Sequence, residues 1–347
     1  MLNMDLYIHS AGWISAAGTQ KEDGFLPEAF SYEGNRLNAQ EPDYTGMIPP
    51  MQLRRMSKVV RMGIAATRLA LKNAGIEQPD AISVGTAMGC LQDTETFLNK
   101  LVTQNEQMLT PTAFIQSTHN TVAGQIALLL GCHGHNLTYV HRGHSFEHAL
   151  INTQLYLQQH PDQVVLAGGL DELINTSETL MQRAGVYTTE SVKPEYLLQQ
   201  SLNGTVAGEG AAFMTVSLKP SANALKVEQL HLFKAKNIEQ ALEQFAALGF
   251  ENVNADLVVF GKSGDEHTGL YNELQQQYFS KQPIAAYKHQ TGEFGTSSAL
   301  GLAFITEMVQ KNIVPDQLLI AGEKPSSIKK VIFINHYLNH YSCWVLG

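Results

Sequence analysis

The chain has 347 residues, 44% hydrophobic and 16% charged, which is enough apolar material for the core of one large α/β unit or of two domains. Its formal charge of -9 argues against nucleic acid as a partner, because phosphate contacts need a basic surface. Its three cysteines, Cys90, Cys132 and Cys343, are too few and too scattered for a disulfide framework or a CxxC metal site.

The amino-terminal stretch MLNMDLYIHSAGWISAAG lacks a basic region followed by an unbroken apolar run. Nowhere does the chain offer 18 consecutive apolar residues, the length that a membrane-spanning helix needs. We therefore expect a cytoplasmic protein that does not span a membrane.

Short apolar strands alternate with amphipathic helices along the chain, which is typical of a layered α/β fold. The first series predicts strands at DLYIHS and AISVGTA, with a long helix, RRMSKVVRMGIAATRLALKNAG, between them and ending at Gly75. A helix at NTVAGQIALLLG, a strand at NLTYV, a helix at SFEHALINTQLYLQQH and a strand at QVVLAGG complete it.

A second series follows a polar stretch near residues 190–205. It predicts strands at AAFMTVSL, ALKVEQLHLF, ADLVVFG, PIAAYK, KKVIFIN and YSCWVLG, and helices at IEQALEQFAAL, TGLYNELQQQYF and SSALGLAFITEMVQ. Two successive series of similar make-up predict an internally duplicated fold. We divide it into halves at residues 1–218 and 219–347, which share one compact body.

One segment of the predicted long helix is strongly basic. No acid lies between Asp43 and Glu77, while six basic residues occur there: Arg54, Arg55, Lys58, Arg61, Arg68 and Lys72. This pattern indicates either a solvated helix face or a docking surface for an acidic partner.

The stretch GCHGHNLTYVHRGHSFEH is rich in histidine. Residues 144–148 match H-x-x-E-H, in which two histidines one helical turn apart can bind zinc beside a carboxylate, although a third ligand would also be needed. The alternative is a set of hydrogen-bonded histidines on a surface or interface helix. We expect no metal, because so short a pattern arises often by chance and lacks a third ligand. We also expect no cofactor: GTAMG and AGEGAA lack the spacing of a dinucleotide fingerprint and indicate close backbone packing.

Ser145 lies within the same stretch, between a predicted strand and a predicted helix. A nucleophile elbow has its catalytic serine at such a place. Glu147 occupies the position where the tight turn normally needs glycine. A hydrolase with Ser145 as nucleophile is therefore the weaker interpretation.

The order of these segments resembles that of a β-ketoacyl synthase of the thiolase-like superfamily over nearly the whole chain. YIHSAGWISAAG, SVGTAMGCLQD and TPTAFIQSTHNTVAGQIALLLGCHG each have a counterpart in that family. NGTVAGEGAAFMTV is similar to its D-G-F-x-x-G-E-G-A-G segment, and YKHQTGEFGTSSALGL to its K-x-x-x-G-H-x-x-G-A-A-G loop and helix. The resemblance implies a five-layer αβαβα fold made of two pseudo-duplicated, ketoacyl-synthase-like halves.

In that family a cysteine at the start of a buried helix attacks an acyl thioester, and two histidines assist decarboxylation of malonyl carrier protein. The resemblance places Val140 at the cysteine position, within one residue, Phe260 at the first histidine and Glu293 at the second. An anion at the last position would repel the developing enolate. Lys288 keeps its family identity, and we expect it to be structural and to pair with Glu293.

The closing segment departs from the family in the same way. The family's N-S-F-G-F-G-G-T-N loop brings backbone close to the acyl chain and forms part of the oxyanion hole, whereas residues 335–343 read NHYLNHYSC, with bulky side chains throughout. We therefore expect no catalytic residues at these family positions and no condensation by this chain alone.

The chain resembles most the inactive homologues called chain-length factors, especially the short forms from aryl polyene and flexirubin-type pigment clusters. This resemblance implies a heterodimer with an active β-ketoacyl synthase, or a homodimer when the chain is alone. The segment AFIQSTHN would then face the partner's acyl tunnel. Its candidate chain-length determinants are Phe114, Gln116, Thr118 and His119. Alternatively, these four residues only pack in the interface between the subunits.

The same resemblance supplies an acidic partner, because acyl carrier proteins are strongly acidic. The candidate docking residues on the basic segment are Arg54, Arg55, Lys58 and Arg61. Two alternatives remain open: a synthase-like enzyme with an atypical site, such as a malonyl-carrier decarboxylase, and a homodimeric acyl-binding scaffold.

Overall fold

The computed structural model of the chain describes residues 2–21, 25–26, 32–199, 201–250 and 253–347. Its strands are β1 (Leu2–Ser15), β2 (Gly18–Thr19), β3 (Arg36–Leu37), β4 (Ala81–Gly85), β5 (Asn136–Tyr139), β6 (Val165–Asp171), β7 (Ala207–Gly208), β8 (Gly210–Ser217), β9 (Leu225–Lys234), β10 (Leu257–Phe260), β11 (Ile284–Ala286), β12 (Leu319–Ala321), β13 (Val331–Tyr337) and β14 (His340–Leu346).

Helices alternate with these strands. They are α1 (Pro50–Leu53), α2 (Lys58–Ala74), α3 (Leu91–Thr103), α4 (Pro111–Gln116), α5 (Thr121–Leu130), α6 (Ser145–Gln159), α7 (Asn175–Arg183), α8 (Pro194–Leu197), α9 (Ile238–Ala246), α10 (Thr268–Tyr278), α11 (Lys288–Thr291) and α12 (Ser297–Lys311), with a 3₁₀ helix at Arg142–His144 before α6. No helix in the described ranges has both the length and the apolar character needed to cross a membrane.

The main sheet has the strand order β12-β11-β10-β13-β14-β9-β1-β8-β6-β4-β5, with β2 beside β1. The order β1-β8-β6-β4-β5 repeats as β9-β14-β13-β10-β11, and in each set two antiparallel pairings precede two parallel ones. β1 and β9 pair antiparallel and join the sets. The duplicated fold is confirmed, while the division at residues 218 and 219, between β8 and β9, stays a prediction.

Helix α12 forms the central layer. It is buried from Ser297 to Met308 and packs against β1, β6 and β8 on one side and β13 on the other. Helix α2 covers the outer face of β1 and β8, while Phe245 of α9 and Leu270 of α10 pack with Phe260 on the outer face of the second half. This is the five-layer αβαβα arrangement predicted from the sequence.

The long basic helix begins later than predicted. Helix α1 ends at Leu53, Arg54 and Arg55 form a turn, and α2 starts at Lys58 after Ser57, whose backbone is extended. The prediction that this helix starts at Arg54 is wrong, because the extended backbone interrupts the helical hydrogen bonds there.

Candidate functional site

A cavity of about 940 Å³ lies between the loop after β10, the hairpin that joins β13 to β14, and the 3₁₀ helix before α6. Its size is within the range of small-molecule sites. Glu293 lines it, so the cavity reaches one of the three positions that the family resemblance assigns to the reaction centre. The other lining residues used below are Arg142, Asp265, His267, Tyr337 and Tyr341.

Glu293 forms a buried ion pair with Lys288. Its Oε2 lies 2.6 Å from Lys288 Nζ, which also donates a hydrogen bond to the carbonyl oxygen of His336. Its Oε1 accepts hydrogen bonds of 3.0 Å from the Phe294 N–H and the Ser297 hydroxyl. Burial, opposed by the nearby ammonium, raises the pKa of Glu293 to about 7. The predicted pairing is present, and it holds the carboxylate in a network of donors.

The loop that carries Glu293 is fixed by the segment around β7. The Glu293 N–H donates to Val206 O at 2.9 Å, and the Gly208 N–H donates to Glu293 O at 3.0 Å. Gly292 has a φ of 71°, and a Cβ there would lie 2.6 Å from Gly208 Cα. Both positions therefore need glycine for this close backbone approach, which is the packing role predicted for the AGEGAA segment.

Asp171, at the end of β6, ties together two loops near the cavity. One carboxylate oxygen accepts from the Thr86 hydroxyl and from the N–H groups of Ala87 and Met88, and the other accepts from the N–H and hydroxyl of Thr296, all at 2.8–3.0 Å. Burial raises the pKa of this carboxyl against those hydrogen bonds. Sequence patterns do not reveal this residue, because one aspartate at a strand end forms no motif.

Of the three residues that the resemblance assigns to the family's reacting positions, Glu293 alone lines the cavity. Val140 follows β5, and its side chain is 49% exposed. Phe260 ends β10 and packs into the core, with its ring centroid 5.0 Å from that of Tyr271 and 6.2 Å from that of Phe279. Neither an aliphatic nor a phenyl side chain can act as a nucleophile or move a proton, so these positions cannot perform the family's chemistry.

Residues 335–343 form a tight hairpin in place of a glycine-rich loop. Tyr337 pairs with His340 across the turn, and Leu338 has a φ of 51°, which is uncommon for a side-chain-bearing residue. The hairpin places Tyr337 and Tyr341 against the cavity. Bulky side chains of this hairpin thus form one wall of the cavity.

No cysteine of the chain lines the cavity. All three cysteines are buried, and burial raises the pKa of the Cys90 and Cys343 thiols. Ser145 is also buried, and its hydroxyl donates to Arg142 O and accepts from the His141 N–H, both at 2.8 Å. The arrangement therefore presents neither an activated thiolate nor an activated serine to the cavity.

The H-x-x-E-H segment does not gather a set of metal ligands. His144 Nε2 lies 3.0 Å from Tyr341 O, and the ring centroids of His144 and His148 are 6.2 Å apart. Glu147 is buried, and burial raises its pKa to about 7. His148 Nδ1 instead lies 3.2 Å from His141 Nδ1. The segment is a packed histidine cluster beside β14.

A second cluster, which the sequence did not indicate, borders the cavity. Asp265 Oδ2 lies 2.9 Å from His336 Nε2 and 3.2 Å from His267 Nδ1, and the Tyr271 hydroxyl lies 2.8 Å from His336 Nδ1. Burial alone would raise the pKa of Asp265, but the two histidines hold it well below its ordinary value. Burial lowers the pKa of His336 to about 3, while the charge of Asp265 acts in the opposite direction. Within the described residues, Asp265, His267 and His336 lie close enough together to hold a metal ion.

The family model for the β-ketoacyl synthase N-terminal domain matches residues 30–222, more than half of the chain. The chain belongs to the β-ketoacyl synthase family. No curated protein is similar enough in sequence to count as a match.

Solved structures of similar fold cover nearly the whole chain. The ishigamide ketosynthase/chain length factor superposes with a TM-score of 0.75 at 16% identity, over 100% of this chain and 99% of that one. A β-ketoacyl synthase from Burkholderia phymatum STM815 gives 0.73 at 16%, over 99% of each chain. The ketosynthase ApeO in complex with its chain length factor ApeC from Xenorhabdus doucetiae gives 0.73 at 15%, over 99% and 97%. These likenesses show the fold.

The edge strand of this β-ketoacyl synthase homologue carries exposed apolar side chains. Within the described residues β5 pairs with β4 alone, so its other edge is open. Leu137 on β5 and Val140 beyond it are 42% and 49% exposed, and Leu128, on the helix α5 that packs against β5, is exposed as well. An open strand edge beside exposed apolar side chains is typical of a protein–protein contact.

The four candidate tunnel residues lie on and after α4. Phe114 is 58% exposed, and its ring centroid is 5.7 Å from that of Phe97. Gln116 donates to Arg55 O at 3.1 Å, while the Thr118 hydroxyl donates within its own turn. His119 is exposed beside Gly89. Phe114 thus presents the largest apolar surface of the four, and their role stays a prediction.

The four candidate docking residues fall into two pairs. Arg54 and Arg55 are exposed. Lys58 pairs with the buried carboxylate of Glu209, and Arg61 Nη2 lies 2.9 Å from an oxygen of Glu41. Because their charges are already compensated, Lys58 and Arg61 are poor candidates for docking, and the prediction narrows to the two exposed arginines.

Proposed function

We propose that this chain is a non-catalytic β-ketoacyl synthase homologue that acts as the chain-length factor of a type II polyketide-like synthase. In this role it pairs with an active ketosynthase, and the heterodimer uses an acyl carrier protein. We place it with the systems that make polyene pigments, on the strength of the sequence resemblance.

The observation that carries the proposal is that, among the described residues, no cysteine and no serine lines the cavity. On the family resemblance we assign Val140, Phe260 and Glu293 to the reacting positions, and Glu293 is held by Lys288 in the cavity wall. A synthase-like scaffold whose described cavity offers no thiol or serine nucleophile is suited to a structural role in a complex.

The open apolar edge supports a second subunit. Exposed Leu137 on β5 and Leu128 on α5 would be covered by a partner that adds a strand to this edge of the sheet. Two solved structures of similar fold also support a partner subunit and a carrier protein. One is a ketosynthase in complex with its chain length factor, and the other is a type II polyketide ketosynthase with its acyl carrier protein.

The test is a comparison of three samples: this chain alone, the cysteine-containing synthase alone, and the two together. Each is given malonyl carrier protein and an acyl-carrier starter, and released CO₂ and extended acyl chains are measured. We expect neither product from this chain alone and both from the pair. Decarboxylation by the chain alone would contradict the proposal and favour the decarboxylase alternative.

A further inference from the structure

We propose that Asp265, His267 and His336 form a binding site for a divalent transition-metal ion, with Zn²⁺ as the expected occupant. This site lies on the cavity wall and is independent of the accessory role proposed above. Two imidazoles and one carboxylate are a donor set that zinc uses in proteins.

The spacing of the donor atoms fits one ion. One ligand atom from each of the three side chains lies within 4.8 Å of the others. His336 Nε2 and His267 Nδ1 lie 2.9 and 3.2 Å from the same oxygen of Asp265. Ligands bound tetrahedrally to Zn²⁺ at about 2.0–2.1 Å are about 3.3 Å apart. An ion therefore needs only small side-chain movements at this cluster.

The fold brings the ligands together from distant positions. Parallel pairing of β10 with β13 sets Phe260 beside Ile334, so the loop after β10 reaches His336 near the end of β13. The backbone N–H of His267 orients the carboxylate of Asp265, because it donates a hydrogen bond of 3.0 Å to Oδ1, the other carboxylate oxygen. Two of the ligands are thus held by neighbouring strand ends and the third by a local turn.

Tyr271 completes the arrangement as an outer partner. Its buried hydroxyl lies 2.8 Å from His336 Nδ1, where its oxygen can accept a hydrogen bond from Nδ1–H while Nε2 binds the ion. A metal-binding histidine usually has such a partner for its second nitrogen. Asp265 and His267 line the cavity, which leaves the fourth coordination position open to water or to a ligand in the cavity.

The test measures zinc on the full chain after its purification tag has been removed. The protein is treated with chelator, exposed to excess Zn²⁺ and desalted, and bound zinc is counted by mass spectrometry of the metal. We expect one ion per chain for the wild type and less than about a tenth of that for His267→Gln and Asp265→Asn. Tyr271→Phe should bind with about tenfold lower affinity.

The matched control is His148→Gln, because His148 and His141 form the other close histidine pair, with 3.2 Å between their Nδ1 atoms. It should keep one ion per chain. Loss of zinc in this variant, with zinc kept in His267→Gln, would overturn the assignment and place the ion at His141 and His148 instead.

A second measurement needs no variant. Thermal unfolding of the wild type should shift to higher temperature when Zn²⁺ is added, since an ion that binds only the folded state stabilises it. Absence of both stoichiometric zinc and a thermal shift would overturn the proposal and leave the cluster as a hydrogen-bond network. Since these measurements use the chain alone, their failure is separate from any failure of the accessory role.

Discussion

Glu147 is the residue whose ionisation the fold disfavours most plainly. It lies buried near the start of α6, and its carboxylate oxygens have no hydrogen-bond partner among the described residues. Burial raises its pKa to about 7, while its own backbone N–H, the nearby hydroxyls of Ser298 and Ser342 and the charge of Lys288 lower it only in part. An unpartnered buried carboxylate costs free energy once it ionises.

The expected consequence is a pH-dependent stability. Because the folded-state pKa exceeds the ordinary 4.5, the contribution of Glu147 to stability is present below pH 4.5 and is lost as the pH rises through 7. Glu147→Gln should raise the free energy of unfolding at pH 8 by on the order of 3 kcal/mol, and most of that gain should disappear at pH 5.

Urea denaturation at the two pH values measures this effect. Glu190→Gln is the control, since Glu190 is exposed and the same change there should leave the curves of wild type and variant together. A gain for Glu147→Gln that is equal at pH 5 and pH 8 would refute the assignment of its pKa.

Sequence predicted one local pair of the site and missed the cluster that spans it. Lys288 and Glu293 are five residues apart around a glycine turn, so the pairing could be inferred from local geometry. His336 lies 71 residues beyond Asp265 in sequence, and only the pairing of β10 with β13 brings them together. A strand register of this kind is set by the whole sheet, which no local pattern encodes.

At the scale of elements, β5 is expected to make the partner contact. Leu137→Asp places a charge on its exposed apolar surface and should weaken binding to the synthase at least about tenfold, because burial of an unpaired charge in an interface is costly. Size-exclusion titration or calorimetry of the two subunits measures the change.

Ile313→Asp is the control for that experiment. Ile313 is about as exposed as Leu137 but lies just after α12, away from β5 in the sequence. Both variants should unfold at about the wild-type temperature. Normal binding by Leu137→Asp would remove β5 from the interface.

Helix α4 should influence product length. If Phe114 ends the partner's acyl tunnel, Phe114→Ala frees space of several methylene groups, and the complex should make longer chains. Mass spectrometry of the released acyl groups measures this, with Ile313→Ala, a change at an exposed apolar residue after α12, as the control. An unchanged distribution in Phe114→Ala would reduce Phe114 to interface packing.

Most of the principal strands and helices could be predicted from periodicity, and α3 shows where it fails. Within Leu91–Thr103 no residue is buried, so its apolar side chains contact α4 and solvent and give no core-facing pattern. The start of α2 was placed too early for a related reason: helix-favouring residues continue through Arg54 and Arg55, and only the extended backbone of Ser57 ends the preceding turn.

For the whole molecule, the net charge of -9 disfavours binding of an acidic carrier protein, so electrostatic attraction must come from a local basic surface. Of the four candidate docking residues, Arg54 and Arg55 are the exposed ones. Reversing both to Glu should weaken carrier binding to the complex several-fold at low salt and little at high salt, because surface charges are screened.

Fluorescence anisotropy with labelled carrier protein, at two salt concentrations, measures this difference. Lys329→Glu, a charge reversal at an exposed lysine on the other half of the chain, should leave affinity nearly unchanged. Equal affinities for wild type and the double arginine variant at low salt would eliminate the docking role.

The overall architecture could be predicted because two strand–helix series of similar make-up imply two copies of one plan. The shape of the cavity could not, since it depends on the two-residue turn at Leu338 and Asn339 and on which side chains of the hairpin face inward. Those choices follow from pairing between β13, β14 and β9 across the sheet.

The proposed role as the accessory half of a synthase heterodimer can be tested by co-expression of the chain with a cysteine-containing β-ketoacyl synthase encoded beside it. The native mass of the purified complex is then measured. We expect a stable 1:1 heterodimer. A stable homodimer that leaves the synthase unbound would contradict it.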